Sequence, residues 1–202
     1  MKISRIILAS GSIYRRQLLA QLRLPFRWVA PDIDERPRHN EPPHRLVERL
    51  ALEKAKAIAR HHPEEPLVIG SDQIAMLGGE VLGKPGARDR NITQLLQCCG
   101  RRVEFLTGIA LLNHPTGHTQ VDVVPFSVIF RSLTPDQIEH YVDLEKPFDC
   151  AGGFRLEGLG ISLFERLLGE DPSALIGLPL IRLVEMLKHE GFDVLENAQE
   201  MS

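Results

Sequence analysis

Cysteine is scarce in this chain: 202 residues contain three, Cys98, Cys99 and Cys150. An odd number with two adjacent makes a poor disulfide framework, and adjacency is not the spacing of a zinc motif. That usage favours a reducing compartment. Basic charge is not in excess either. A net charge of -3 argues against a binder of nucleic-acid polymers, which presents a basic footprint. A nucleotide pocket stays possible, since it needs only a few local cations. No apolar run is long enough to span a bilayer, and the stretch from Met1 to Leu8 is too short for a signal peptide. The expectation is a cytoplasmic protein with no membrane partner. Internal repeats and low-complexity segments are missing as well.

What is present is the composition of a globular protein, 43% apolar and 25% charged with Gly 16 and Pro 14. The length fits one domain, or one with a small lobe, and allows a sizeable core. The pattern predicts a buried strand over 6–9, a Ser10-Gly11-Ser12 loop and a helix over 13–22 capped by Ser12. A short strand over 28–30, a proline-punctuated loop over 31–43 and a long helix over 44–61 follow. A second buried strand is expected over 67–71. Segments 74–77 and 80–82 flank Gly78-Gly79 as a hairpin. Beyond lie a helix over 88–98, strands over 103–112 and 121–130, and a helix from Thr134 to about Asp143. That helix carries a capping box, with Pro135 at its first position and Gln137 in the reciprocal place. A glycine-rich stretch over 151–160, an apolar pattern over 161–168 and a last helix over 179–189 complete the layout. Residues 1–195 read as one domain of mixed α/β class and 196–202 as a frayed tail.

Three charges stand where helices and strands should be apolar. At 100° per residue, Val47, Leu50, Ala51 and Ile58 form one stripe, and Lys54 falls inside it. Either its stem covers core while the amine reaches solvent, or the amine points at an anion in a cleft. On the first helix, Leu18, Leu19 and Leu22 share a face with Arg15. An arginine in a first turn is poorly placed for the helix dipole, yet well placed beside an anion held by the preceding loop. Asp72 follows the apolar run 67–71, at the end of a strand where α/β proteins bind ligands. It caps a turn, holds a divalent metal or activates water. Lys84 returns beside it after the Gly-Gly turn. Asp32, Asp34 and Glu35 suit a solvated loop, although one of them can complete a metal shell.

Two motifs are set aside. Gly78 through Lys84 has the glycine and lysine spacing of a P-loop, but Pro85 stands where Ser or Thr must meet magnesium, and the setting is a hairpin. Gly152-Gly153 and Gly158-Leu159-Gly160 lack the strand-turn-helix context of a dinucleotide fingerprint. His39, His44, His61 and His62 show no metal-ligand spacing.

The same residues carry a resemblance to the Maf family of nucleoside triphosphate pyrophosphatases, over nearly the whole chain. The matching stretches are Leu8-Ala9-Ser10-Gly11-Ser12 with Arg15-Arg16, Asp34-Glu35, Glu53-Lys54-Ala55, Gly70-Ser71-Asp72-Gln73 and Gly83-Lys84-Pro85. Thr107-Gly108, Cys150-Ala151-Gly152 and Gly177-Leu178-Pro179-Leu180 follow in order. Ile13 departs from the family's usual proline, which bears on stability more than chemistry. Tyr14, Gln73 and Glu157 occupy the positions that separate family branches, and resemble the 7-methylguanosine triphosphate branch rather than the dTTP/UTP branch. Tyr14 stands where that branch often has Trp.

The resemblance implies a mixed central β-sheet with flanking helices, two lobes around a cleft, a homodimer and a divalent cation, Mg2+ or Mn2+. It implies hydrolysis of the α-β phosphoanhydride of a nucleoside triphosphate. Asp72 then serves as general base or metal-bound orienter of water, with Glu35 as its metal partner. Arg15, Lys54 and Lys84 neutralise the triphosphate, and Ser10 adds a hydrogen bond. A tyrosine face attracts the positively charged 7-methylguanine ring, while Glu157 accepts from guanine N1–H and N2–H. The competing expectations are a dTTP, UTP or broader noncanonical nucleotide pyrophosphatase, and a non-catalytic nucleotide-binding regulator of cell division.

Overall fold

Ile6, Ile7, Leu8 and Ala9 are all buried, and a strand buried on both faces needs a partner along each edge. Strand β1 (Ile6–Ala9) finds them in β2 (Phe26–Val29) and β3 (Leu67–Leu77), both parallel to it. The computed structural model describes residues 6–63 and 66–199. The N-terminal residues 1–5 and the last part of the polar tail, 200–202, lie outside the described residues.

From β3 onward the sheet turns antiparallel. A tight turn at Gly78 and Gly79, with φ of 60° and 91°, returns the chain as β4 (Glu80–Leu82). The P-loop-like spacing therefore belongs to a hairpin. Strands β5 (Arg102–Asn113), β6 (Thr119–Phe130) and β7 (Phe164–Leu168) extend the sheet. The order is β2-β1-β3-β5-β6-β7, with β4 paired to β3, giving seven strands among the described residues. The mixed α/β architecture expected from the sequence is what the chain adopts.

Helix α1 (Ile13–Ala20) and helix α2 (Pro43–Ala59) follow β1 and β2. Two glycines let α2 lie on the sheet. A Cβ at Gly70 would stand 2.0 Å from Ala51 O, and one at Gly108 would stand 2.2 Å from Val47 O. Only glycine permits that approach, and it brings the Lys54 face of α2 against β3. Helices α3 (Arg88–Cys98) and α4 (Pro135–Glu145) cover the far half of the sheet. The predicted capping box of α4 is formed, with Thr134 and Gln137 exchanging hydrogen bonds. The chain closes with α5 (Pro172–Ile176), α6 (Leu180–His189) and α7 (Val194–Asn197).

The core is divided. One cluster centres on Phe105, Phe130, Ile138, Phe154 and Phe164. Phe154 meets Phe105, Phe130 and Phe164 edge to face, at 5.5, 5.9 and 4.8 Å between centroids, a geometry the ring quadrupole favours. The remaining clusters surround β1, the first half of β3, α1, α2 and α6. Side chains from both sides line the cleft between them, Phe154 and Leu175 on one, Leu46 and Leu50 on the other.

Several elements differ from the sequence reading. Helix α1 stops at Ala20, and Arg23 turns the chain with φ of 54°. Strand β2 begins at Phe26 rather than 28. Residues Leu159–Leu163 form a short 3-10 turn, so the apolar pattern that begins at 161 becomes a strand only from Phe164. Helix α5 is an addition, and its signal is local: Asp171 caps it, Pro172 opens it and Gly177 ends it in the left-handed region, the usual asymmetry of helix ends. In the polar tail, Asp193 caps α7 and Gln199 N donates to Arg23 O at 2.9 Å.

Candidate active site

The site begins with a notch in the sheet. Strand β1 ends at Ala9, opposite Gly70, and β4 starts pairing at Ala75. Between those points β3 has its ladder partner, β5, on one side only. Asp72 sits in this gap. The sequence reading put it at a strand end; the strand instead runs on to Leu77. Polar Asp72 and Gln73 imitate a boundary because the notch, not a turn, accommodates them.

Alternation along β3 sends Asp72 to the same face as Gly70, toward α2. There Lys54 Nζ donates to Asp72 Oδ1 at 2.6 Å and pairs with Glu35 Oε1 at 2.8 Å. Lys54 is only 5% exposed, and its amine points at two carboxylates on the cleft wall rather than out into bulk solvent. A buried ammonium is costly unless paired, and the two carboxylates supply that pairing. Burial pushes the Glu35 carboxyl up, but the Lys54 hydrogen bond and the charges of Lys54, Lys84 and Arg15 outweigh it. The net pKa lies below the ordinary value.

Ser71 and Gln73 face the opposite side and fasten the α5–α6 connection. Ser71 Oγ donates to Gly177 O at 2.7 Å or to Gly108 O at 2.9 Å. Gln73 Nε2 donates to Ala174 O at 2.7 Å and lies 3.1 Å from Leu175 O. Arg15 Nε donates to Gly177 O and Nη1 to Ser71 O, each at 2.8 Å. Desolvation lowers the Arg15 pKa, with Asp72 and Glu35 opposing that shift. The connection is held from behind by buried Asp171, which accepts from Ser173 N at 3.0 Å and Ile181 N at 2.9 Å.

Ser10 is buried where β1 ends, and its Oγ accepts from Ser12 N at 3.1 Å, leaving its hydroxyl proton to donate elsewhere. Ser12 in turn caps α1 by accepting from Arg15 N at 3.4 Å. Lys84 stands exposed on the opposite wall. At the far end of the cleft lie Tyr14 and Glu157, and loss of solvent raises the Glu157 pKa, with Arg155 opposing. The guanidinium of Arg155 covers the Tyr14 ring at 5.6 Å from its centroid, a cation–π distance.

All the residues singled out for the site thus line one cleft of about 610 Å³: Ser10, Tyr14, Arg15, Glu35, Lys54, Asp72, Gln73, Lys84 and Glu157. Asp34 does not join them; it faces outward and pairs with Arg36 at 2.6 Å. Sequence reasoning missed Asp149 on the cleft wall and Arg155 over Tyr14. Asp149 directly precedes the matched stretch Cys150-Ala151-Gly152 and Arg155 lies three residues beyond it, but nothing in the type or spacing of either marks it. The described residues contain no group of three or more His, Cys, Asp and Glu suited to a metal. Two carboxylates are nonetheless enough for magnesium when substrate phosphates and water complete the shell. Asp72 and Glu35 each have a second oxygen that Lys54 does not take.

Fold and site together define a mixed α/β protein with a cleft of mixed charge around a carboxylate–lysine cluster. The chain belongs to the Maf family: the family model described as Maf-like protein matches residues 5–190. It is 58% identical to a 7-methyl-GTP pyrophosphatase of Pseudomonas putida, over 92% of this chain and 96% of the relative. The 7-methyl-GTP pyrophosphatase of Chromohalobacter salexigens is 53% identical, over 96% of this chain and all of the relative (100%). Among solved structures, the Staphylococcus aureus Ham1 protein superposes with a TM-score of 0.52 at 17% identity, over 92% of this chain and 98% of that one. That likeness concerns the fold alone.

Proposed function

We propose that this protein hydrolyses the α-β phosphoanhydride of 7-methyl-GTP, giving 7-methyl-GMP and pyrophosphate. Family membership and the 7-methyl-GTP pyrophosphatase relatives make it a nucleotide-cleaving hydrolase. The observation that carries the reading is the convergence of a cationic, carboxylate-bearing end and a Tyr14–Glu157 end in one cleft.

In this reading the triphosphate lies along the loop after β1. The Ser10 hydroxyl donates to it, and Arg15, Lys54 and Lys84 offset its charge and that developing on the leaving pyrophosphate. Lys54 fixes Asp72 by Oδ1, so Oδ2 is the oxygen left for the attacking water, as general base or as the ligand of a cation that orients it. Glu35 and Asp72 would hold a divalent cation, which supplies further neutralisation of the triphosphate. The base rests on the cleft side of Tyr14, while Arg155 occupies the ring as well. Glu157 accepts from N1–H and N2–H, a pattern of adjacent donors that thymine and uracil do not present. Gln73 acts through its amide, whose nitrogen is committed to the backbone of α5. A homodimer in the cytoplasm, without membrane or nucleic-acid partners, completes the proposal; sedimentation equilibrium measures its stoichiometry. No helix among the described residues is long and apolar enough to cross a membrane.

The test is pyrophosphate release from 7-methyl-GTP, GTP, dTTP, UTP and CTP with Mg2+ or Mn2+, beside Asp72→Asn. Preference for 7-methyl-GTP, lost in the variant, is expected. Preference for dTTP or UTP overturns the base assignment. Tight binding without turnover of any nucleotide transfers the protein to the regulator class.

A further inference from the structure

Glu35 stands in the coil between β2 and α2, a stretch with no helix or strand of its own, yet its carboxylate is held 2.8 Å from Lys54. A lone ion pair to a half-exposed carboxylate does not order a coil, because the conformational entropy of each ordered residue exceeds what such a pair contributes. The coil is instead fastened on both sides of Glu35. Before it, Ile33 packs against the cluster formed by Leu46, Val47, Leu50 and Ile74. After it, Arg49 of α2 takes over. Its Nε and Nη2 fork onto the two oxygens of Glu41 at 2.6 and 2.7 Å, Nη2 reaches Arg36 O at 3.2 Å, and Nη1 donates to Glu53 at 2.9 Å. Arg49 and Glu41 are 13% and 9% exposed in their side chains, so this is no solvated surface pair. The fork drives the Glu41 pKa down to about 2.

We propose that Arg49 is a positioning residue that sets Glu35 in the cleft by tying the backbone after it to α2, the helix that also presents Lys54. One helix thereby fixes both partners of the Lys54–Glu35 contact. Arg36 O directly follows Glu35, and Glu41 lies near the end of the coil, so the Arg49 guanidinium spans the segment, with exposed Arg38 adding a bond from Nη2 to Glu53 Oε1 at 2.9 Å. Arginine is required because the planar fork holds both carboxylate oxygens at once; a lysine places a point charge in the same region without the fork. The proposal rests on the pyrophosphatase reading only for the task assigned to Glu35.

The experiment compares Arg49→Met, Arg49→Lys and Glu41→Gln with Glu35→Gln and the pair Arg49→Met/Glu35→Gln. Amide hydrogen exchange over 31–43 reports the fastening directly. Binding of Mn2+ with a non-hydrolysable nucleoside triphosphate, read from the free Mn2+ resonance, reports the carboxylate. Exchange over the coil is expected to rise in all three tether variants, with α2 unaffected. Mn2+ affinity should fall about tenfold in Arg49→Met and in Glu35→Gln, the loss typical of supports behind a ligand. Arg49→Lys should behave like Arg49→Met, and the double variant should lose no more than either single. Unchanged exchange over 31–43, unchanged Mn2+ affinity in Arg49→Met, losses that multiply in the double variant, or full retention by Arg49→Lys would each overturn the proposal. Wild-type protein that releases no pyrophosphate refutes the proposed function instead, and the exchange result still judges the tether.

Discussion

Lys54 and Asp72 form a nearly buried ion pair, 2.6 Å apart, across the contact between α2 and β3. Breaking one side of such a pair strands a charge, which costs more than the intact pair contributes. Replacing Lys54 by Met leaves Asp72 and Glu35 facing each other beside the cleft. Because the cleft lets water in, the loss should fall at the low end, about 3 kcal/mol, or roughly 6–12 °C in Tm for a chain of this size. Thermal unfolding at neutral pH measures it. An unchanged Tm would show that the pair is solvated in solution.

Asp72→Asn retains the shape and the contact with Lys54 but removes the proton acceptor. A fall in kcat of about 10²–10⁴ is expected, with nucleotide affinity, measured by calorimetry, far less affected. A comparable loss of affinity would make Asp72 a binding group first.

Glu35 should stabilise the fold at neutral pH and lose that effect in acid. Its folded pKa lies below the ordinary value because Lys54, Lys84 and Arg15 outweigh burial. A depressed carboxylate contributes fully above its unfolded pKa, and the contribution vanishes as pH falls through the folded one. The Tm gap between wild type and Glu35→Gln should therefore be present at pH 7 and close below the ordinary carboxylate range. A gap that widens on acidification would contradict the sign.

Glu157 has the opposite shift, since desolvation raises its pKa. Its carboxylate form, the one that accepts from a guanine edge, is lost on acidification earlier than an ordinary glutamate would lose it. KM for 7-methyl-GTP should rise as pH falls through that window, and Glu157→Gln should flatten the dependence while narrowing the preference over dTTP. A pH profile that the substitution leaves intact would assign the titration elsewhere.

Gly70→Ala should damage the fold and the site together. The added carbon meets the backbone of α2 at Ala51 O, which cannot rotate away, so a cost of about 3 kcal/mol or more is expected. Gly79→Ala is the control: no heavy atom lies within 4 Å, and only its φ of 91° opposes a side chain. That strain costs roughly 1–2 kcal/mol and leaves turnover unchanged. Chemical denaturation and kcat for the two variants separate packing from backbone strain.

Much of the site was legible because charge inside an apolar stripe is rare without a partner. Lys54 interrupts the Val47, Leu50, Ala51 and Ile58 face, and Arg15 shares a face with Leu18 and Leu19; both prove to be engaged within the protein. Helix ends were legible where capping chemistry is local, as at Ser12 and Thr134. Asp72 was found for a partly mistaken reason. A polar pair after an apolar run reads as the end of a strand, and no local pattern distinguishes that from a notch left by a neighbouring strand that stops early.

The amino-acid sequence by itself determined the α/β class, the main helices and strands, and which charged side chains had to be satisfied in a cleft. These follow from periodicity, capping and the cost of burying charge, all of which act over a few residues. Tertiary structure alone decided which partners satisfy them: Lys54 between Asp72 and Glu35, Arg15 on the carbonyls of Ser71 and Gly177, Arg155 over Tyr14, and Arg49 across the coil that carries Glu35. Most of those pairs join different elements of the fold, and the geometry around Lys54 depends on strand register and on the close approach of α2 that Gly70 and Gly108 allow.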